Sequence, residues 1–212
     1  MHARAPGRAV IGLFGDYKGA DVKFTELDWT DWKPRETATL MFVRMDGMVL
    51  LIRKLKGMGT GLINAPGGRV DRGETPEQGA IRETQEELRV TPLGVKEAGV
   101  LNFRFTNGYS LRCHVFTASA YEGVPSPTPE AIPLWMDERD MPYGQMWADD
   151  RLWYPLVLEG RHFDGRFLFD DGVMIGAELD VAPSPDGAEV PAAAKQDLKI
   201  PTAEPAPDGY EG

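Results

Sequence analysis

The chain has 212 residues, a formal net charge of −10, a pI near 4.8 and 42% hydrophobic residues, enough to bury one sizeable core. This acidic balance argues against a surface that follows the phosphates of long DNA or RNA. Cys113 is the only cysteine, which excludes an intrachain disulfide. The apolar runs are too short to cross a bilayer, so a membrane partner is not expected. We therefore expect a soluble, cytoplasmic monomer.

Composition divides the chain into three predicted segments. Residues 1–35 form an N-terminal extension whose role the sequence does not indicate, although "AVIGLFG" favours a strand. Residues 36–180 form the functional domain. Residues 181–212 are rich in Pro, Ala and acidic residues with almost no large apolar side chains. Because such a segment cannot repay the entropy lost on ordering, we expect a disordered tail.

Two β-hairpins are predicted in the domain. "TATLMFVRM" and "MVLLIRKL" flank Asp46-Gly47, which suits the positive φ angles of a type I′ turn. "GVLNFRF" and "SLRCHVFTASAY" flank Asn107-Gly108, the second hairpin signal, and Cys113 within it is expected to be a buried thiol.

A helix is predicted between the two hairpins. Thr75 as N-cap, Pro76 at the first helical position and Gln78 two positions later form a capping box. A second helix is expected across "DDRLWYPLVLEG", with Pro155 near its start or kinking it, followed by strands in "RHFDGRFLFD" and "GVMIGAEL". The elements predict a mixed α and β fold and not a regular βαβ repeat.

Three glutamates lie together on one side of the first helix. Glu83, Glu86 and Glu87 fall within roughly 100° of one another, and each like-charge pair costs ~0.2–0.5 kcal/mol in an isolated helix. Arg82 can pair with Glu86, but one guanidinium does not neutralise three carboxylates. A hard divalent cation would, since Mg²⁺ and Mn²⁺ prefer oxygen ligands. The alternative is a solvated acidic helix face.

The stretch "GRVDRGETPEQGAIRETQEELRV" resembles the Nudix box, in which Gly, Glu, Arg-Glu and Glu-Glu recur at fixed spacing. The matching residues are Gly68, Glu74, Arg82, Glu83, Glu86 and Glu87. Two positions depart from the pattern: Thr84 replaces an aliphatic residue, and Arg89 stands where glycine usually ends the helix. The resemblance implies an α+β fold, an α/β/α sandwich around a mixed β-sheet, and hydrolysis of a nucleoside diphosphate linked to another group.

The resemblance also assigns roles within the box. It implies that Mg²⁺, or Mn²⁺, is bound by Gly67 through its carbonyl and by Glu83, Glu86 and Glu87. Glu83 or Glu87 could take the proton of the attacking water. Structural support of the box is implied for Gly68, Glu74 and Arg82.

Three segments outside the box resemble the oxidised purine nucleoside triphosphatase branch: "KGMGTGLINAPGG", "MWADDRLWYP" and "HFDGRFLFD". The branch implies substrate binding by Asn64, Phe103, Trp147, Asp149 and Asp150, and a further catalytic or metal-binding carboxylate at Glu130. Met58, Ile63 and Pro66 stand where the branch carries aromatic residues, which predicts weaker stacking and a broader purine preference.

The adjacent aspartates have a physical interpretation of their own. Two carboxylates in an apolar pocket cannot both ionise cheaply, so the pKa of one should rise and that acid become a hydrogen-bond donor. The alternative is that "ADD" merely begins a helix, where acids are favoured. Trp153 and Tyr154 are expected in the core, and His114 and His162 are expected to be structural.

The leading hypothesis is an Mg²⁺-dependent pyrophosphohydrolase that converts oxidised purine nucleoside triphosphates, such as 8-oxo-dGTP or 2-hydroxy-dATP, into monophosphate and pyrophosphate and so cleanses the nucleotide pool. One alternative keeps the chemistry but acts on ADP-ribose, a dinucleoside polyphosphate or an RNA 5′ end. Another is a Nudix-like nucleotide-binding module without turnover. All box carboxylates are present, which favours an enzyme.

Overall fold

A computed structural model describes residues 9–14 and 22–183. The predicted disordered tail lies outside the described residues from position 184 onward. Within the described ranges two α-helices are found, α1 (Pro76–Leu88) and α2 (Asp150–Leu158), with short 3₁₀ turns at Phe24–Glu26 and Tyr143–Gln145. The strands are β1 (Ala9–Phe14), β2 (Glu36–Met45), β3 (Met48–Lys54), β4 (Ile63–Asn64), β5 (Val90–Leu93), β6 (Lys96–Phe105), β7 (Ser110–Ala118), β8 (Ala120–Gly123), β9 (Ala131–Asp137), β10 (Phe163–Asp170) and β11 (Val173–Val181).

The strands form a mixed sheet, in the order β1-β11-β10-β6-β7-β2-β3-β4, with β9 also paired to β3. β2 runs parallel to β7 and β10 parallel to β6, whereas the other pairs in this sheet are antiparallel. β5 and β8 form a separate two-stranded sheet. The strand predicted in "AVIGLFG" is confirmed as β1, which pairs with β11.

The predicted turns are present. Asp46 and Gly47 have φ angles of 53° and 74°, and Met45 pairs with Met48 across them. The second hairpin joins β6 to β7, with Gly108 at φ 86°. These left-handed conformations are the reason for glycine at the turns.

Helix α1 begins as predicted, since the Thr75 and Gln78 side chains exchange hydrogen bonds with each other's backbone amides at 3.2 and 2.8 Å. It ends at Arg89, which adopts the left-handed conformation at φ 64° although it is not glycine, and its amide bonds to the Gln85 carbonyl. Of the two placements expected for Pro155, the structure has the one inside helix α2 and not the one near its start.

The helices cover opposite faces of the sheet, as the alternation along β2 and β3 requires. Met41 and Val43 belong to the cluster beneath α1, while Phe42 and Leu51 belong to the core beneath α2. Trp153 and Tyr154 on α2 are 1% and 0% exposed, so both are core residues as predicted. The fold is α+β with a helix on each face of a mixed sheet. No described helix is long and apolar enough to cross a membrane.

The part of the N-terminal segment that follows position 21 packs on the sheet. Phe24 is buried with Leu168 and Ile175 from β10 and β11. Trp29 lies under the guanidinium of Arg104, and Trp32 under that of Arg112, each 5.4 Å from ring centroid to guanidinium carbon. These residues cover strands whose opposite face lines the cavity described below.

Candidate active site

A cavity of about 470 Å³ opens on the α2 side of the sheet. Its walls come from β2, β3, β4, β6, β7, β10 and the start of α2, and from the loops after β3, β4, β8 and β9. Residues that the sequence analysis singled out and that line it are Asn64, Gly67, Gly68, Phe103, Glu130, Trp147, Asp149 and Asp150. The cavity therefore joins the predicted base-binding residues to the glycine-rich turn that precedes the box helix.

Asp149 and Asp150 are both buried, at 4% and 1% exposure. Asp149 Oδ2 accepts a hydrogen bond from Trp153 Nε1 at 2.9 Å, and Asp150 Oδ2 accepts one from the Trp147 amide at 3.0 Å. Asp149 is the N-cap residue of α2, but its side chain makes no capping bond. Asp150 lies in the first turn of α2, where acids are favoured.

The two acids have different pKa values, both raised by burial. Burial raises the pKa of Asp149 to about 6, with the Trp153 hydrogen bond opposing the rise. Burial raises the pKa of Asp150 still further, and the neighbouring Asp149 charge adds to the effect. Asp149 is therefore the acid of the pair that ionises first and acts as an acceptor, while Asp150 keeps its proton to higher pH and can donate.

Asn64 is held in one orientation. Its Oδ1 accepts the amide proton of Ala65 at 2.8 Å and the hydroxyl proton of Tyr154 at 3.2 Å. An amide N–H can be accepted only by the oxygen, so the carboxamide nitrogen, with its two donors, is left for other partners. Sequence reasoning placed Tyr154 in the core but missed that its hydroxyl orients Asn64.

The cavity is partly aromatic. Phe103 stacks on Phe167 with ring centroids 5.2 Å apart, and Phe105 stacks on Phe169 at 5.5 Å. Met58 lines the mouth and is 45% exposed. A flexible thioether thus stands at the rim where the sequence comparison expected an aromatic ring.

The three box glutamates are surrounded by cationic side chains. Glu87 is buried at 1% exposure, and its two oxygens accept from Lys54 Nζ at 2.9 Å and from the Gly67 amide at 2.8 Å. Arg82 Nη1 donates to Glu83 at 2.9 Å and to Glu86 at 3.1 Å. Burial raises the pKa of Glu83 and of Glu87, against the lowering effect of these cations.

Arg82 and Glu74 form a two-bond pair at the start of the box. Arg82 Nε and Nη2 donate to the two Glu74 oxygens at 3.1 and 3.0 Å, and Nη2 also donates to the Arg69 carbonyl at 2.9 Å. The hydrogen bonds from Arg82 hold the pKa of Glu74 below its usual value. The pair ties the loop before α1 to the helix.

Gly68 lets the turn approach the helix. A Cβ at this position would lie 2.4 Å from the carboxyl carbon of Glu83, so a side chain here would have to displace that carboxylate. The carboxylates of α1 and the backbone of the turn thus provide oxygen donors of the kind that Mg²⁺ and Mn²⁺ prefer. Among the described residues no three acidic, His or Cys side chains converge on one point, and Lys54 and Arg82 contact the carboxylate oxygens of Glu87 and Glu83. The donor set fits a hard divalent ion that displaces these contacts.

Glu130 lies on the cavity wall, and its backbone is fixed by the amide of Leu55, which donates to the Glu130 carbonyl at 2.7 Å, and by the Thr128 hydroxyl. His114 lies on β7 with its Nδ1 2.8 Å from Glu97, and neither it nor His162 lines the cavity. Cys113 is buried in β7 on the cavity wall, and burial raises the pKa of its thiol.

Comparison with known protein families places residues 33–157 in a match to the NUDIX domain. The oxidized purine nucleoside triphosphate hydrolase of Danio rerio is 42% identical over 144 residues, covering 67% of this chain and 92% of the fish protein. The Mus musculus protein of the same name is 37% identical, covering 63% of this chain and 86% of its own length. The crystal structure of a mutator MutT protein from Bacillus halodurans superposes with a TM-score of 0.62 at 25% identity, covering 68% and 97% of the two chains.

Proposed function

Because this chain belongs to the NUDIX family of hydrolases, we propose that it hydrolyses oxidised purine nucleoside triphosphates to monophosphate and pyrophosphate. The observation that carries the proposal is the pair of buried aspartates, Asp149 and Asp150, in one cavity with Asn64 and the glycine-rich turn of the box. One end of the cavity suits a base and the other a polyphosphate.

The base end supplies a mixed set of hydrogen-bonding groups. A guanine edge offers an acceptor at O6 and N–H donors beside it, which match a protonated Asp150 and an ionised Asp149. An adenine edge reverses the pattern, and a pair of acids can follow by exchanging which of them carries the proton. The Asn64 amide donates to a further purine acceptor. This adaptability supports oxidised guanine and oxidised adenine as joint substrates.

The hydrolysis is proposed to occur at the phosphate end of the cavity. Glu83, Glu86, Glu87 and the Gly67 carbonyl are the groups proposed to hold Mg²⁺ or Mn²⁺, which supplies neutralisation of phosphate charge and a more acidic water. Lys54, bonded at 2.9 Å to Glu87, adds a positive charge at the same place. Water adds to one phosphorus of the α–β anhydride as the bridging oxygen leaves with the other.

The water's proton goes to a carboxylate, and the candidates are Glu83, Glu87 and Glu130. Glu83 and Glu87 are also proposed ligands of the cation. Glu130 also lines the cavity. Within the described residues its side chain makes no hydrogen bond to Arg82 or Lys54, and its amide donates to the Thr128 hydroxyl. The position of Glu130 on the wall suits the role of base.

The experiment is to incubate the protein with 8-oxo-dGTP, 2-hydroxy-dATP, dGTP or ADP-ribose, with Mg²⁺, Mn²⁺ or EDTA, and to quantify nucleoside monophosphate and pyrophosphate. Release of both products from the oxidised purines, abolished by EDTA, is expected. Glu87→Gln should lose about 10²-fold or more in kcat, while Glu77→Gln, an exposed glutamate in the first turn of the same helix, should not change it. Equal turnover of dGTP and 8-oxo-dGTP would contradict the proposal.

A further inference from the structure

Two loops meet at the rim of the cavity. The glycine loop, residues 55–62, joins β3 to β4, and the tryptophan loop, residues 138–149, joins β9 to α2. Gly57, Gly59 and Gly61 all have left-handed φ angles, at 74°, 79° and 89°. Internal backbone hydrogen bonds, such as that from the Leu62 amide to the Gly59 carbonyl at 2.9 Å, give the glycine loop a defined shape.

The indole of Trp147 lies against the glycine loop. A Cβ added to Gly59 would lie 3.0 Å from Cζ2 and 3.2 Å from Nε1 of Trp147, so the ring and the backbone are already in close contact. Trp147 also lines the cavity. Its orientation therefore depends on how the two loops are held relative to each other.

Arg53 links both loops to the sheet. It lies on β3, and its guanidinium donates from Nη1 to the Gly61 carbonyl at 3.0 Å and from Nη2 to Gln145 Oε1 at 3.1 Å. Gly61 is two residues after Gly59, and Gln145 is two residues before Trp147. The planar fork of arginine can serve two acceptors at once in a fixed geometry, which a lysine ammonium on its flexible stem does not reproduce.

We propose that Arg53 is a positioning residue that fixes Trp147 against the glycine loop in the orientation in which the indole contacts the purine. The inference rests on the proposed function, which assigns Trp147 to the base. Arg53 touches neither the base nor the phosphates in this scheme and acts through the two loops. Its removal should weaken substrate binding and leave the chemical step intact.

The test compares KM and kcat for the best purine substrate in Arg53→Met, Arg53→Lys, Trp147→Ala and the double variant Arg53→Met/Trp147→Ala. Loss of two partly exposed, charge-assisted bonds should raise KM about three- to tenfold in Arg53→Met, with kcat within about twofold. Arg53→Lys should fall between wild type and Arg53→Met. In the Trp147→Ala background, Arg53→Met should have no further effect.

The control is Arg166→Met, which removes another partly exposed arginine, paired with Glu178 between β10 and β11. Its KM should equal that of the wild type. Three results would overturn the inference. The first is an unchanged KM in Arg53→Met, and the second is a fall of its kcat by about three- to tenfold without a rise of KM. The third is a rise of KM on adding Arg53→Met to Trp147→Ala that is as large as in the wild-type background. The proposed function is refuted by a different result, namely that the wild type does not prefer oxidised purines. The Arg53 comparison can still be made in that case, because it uses whichever purine nucleotide the wild type hydrolyses.

Discussion

Replacing Asp149 with asparagine should stabilise the folded protein at neutral pH while impairing base recognition. Asp149 is 4% exposed, and burial raises its pKa from 3.8 to about 6. Asparagine has nearly the same shape and keeps an oxygen that can accept the Trp153 Nε1 hydrogen bond. The substitution therefore removes a charge that is costly to bury and little else.

The magnitude follows from the pKa. A rise from 3.8 to about 6 corresponds to about 3 kcal/mol of folding free energy that is lost once Asp149 ionises. Because the pKa is raised in the folded state, the stabilising contribution of protonated Asp149 is fully present below about pH 4 and is lost as the pH rises through about 6. The free energy of unfolding of Asp149→Asn, relative to that of wild type, should therefore increase by about 2 kcal/mol between pH 4.5 and pH 7.5. The remaining part of the roughly 3 kcal/mol falls below pH 4.5.

The assay is urea unfolding of both proteins at pH 4.5, 5.5, 6.5 and 7.5. Asp137→Asn is the matched control, because Arg139 lowers the pKa of Asp137 to about 2 and that acid is ionised throughout the range. The stability of this control relative to wild type should not vary with pH. If the advantage of Asp149→Asn were independent of pH, or grew toward acid, the assignment of a raised pKa to Asp149 would be wrong.

Two further predictions concern the helix end and the base edge. Arg89→Gly should raise the free energy of unfolding by about 1 kcal/mol, because Arg89 holds a left-handed conformation at φ 64° that glycine adopts without strain; thermal unfolding measures this, and a lower midpoint would refute it. KM for a guanine substrate should rise as pH falls through about 6, because Asp149 then loses its charge as an acceptor. The inflection should vanish in Asp149→Asn, and steady-state kinetics from pH 5 to pH 8 would expose its persistence.

Local features of the fold could be predicted from the sequence because their signals are local. The Asp46-Gly47 turn, the Thr75 capping box and the strand in "AVIGLFG" each depend on a few consecutive residues, and all three are present. Pro155 was expected either near the start of α2 or within it as a kink, and it lies inside the helix. Boundary positions depend on tertiary packing of the helix, which a propensity does not contain.

The partners that organise the site could not be predicted because they are distant in sequence. Lys54 and Glu87 are 33 positions apart, Tyr154 and Asn64 are 90 apart, and Arg53 and Gln145 are 92 apart. The repulsion among the box glutamates was predicted to require a metal, and Lys54 was not foreseen as a charge that faces them. Only the packing of β3 and the box helix in three dimensions brings these groups together.

The identity of the site residues followed from motif resemblance, and their environment followed from the fold. Residue types alone indicated that Asp149 and Asp150 could share a proton. Burial and the charge of Asp149, which acts on Asp150, explain why the pKa of Asp150 is the higher of the two. Met58 was predicted from the sequence to weaken stacking, and the fold adds that this side chain lines the cavity.

A competition assay determines whether the buried pair Asp149 and Asp150 selects oxidised purines over unmodified ones. Wild type and Asp149→Asn are each given 8-oxo-dGTP and dGTP in one reaction with Mg²⁺ at pH 7.5, and the two monophosphates are quantified. We expect the kcat/KM of wild type to favour 8-oxo-dGTP about tenfold or more, which is about 1.4 kcal/mol of differential transition-state stabilisation, and we expect this ratio to fall markedly in Asp149→Asn. A wild-type ratio near one, or a ratio unchanged by Asp149→Asn, would show that the pair does not select the oxidised base.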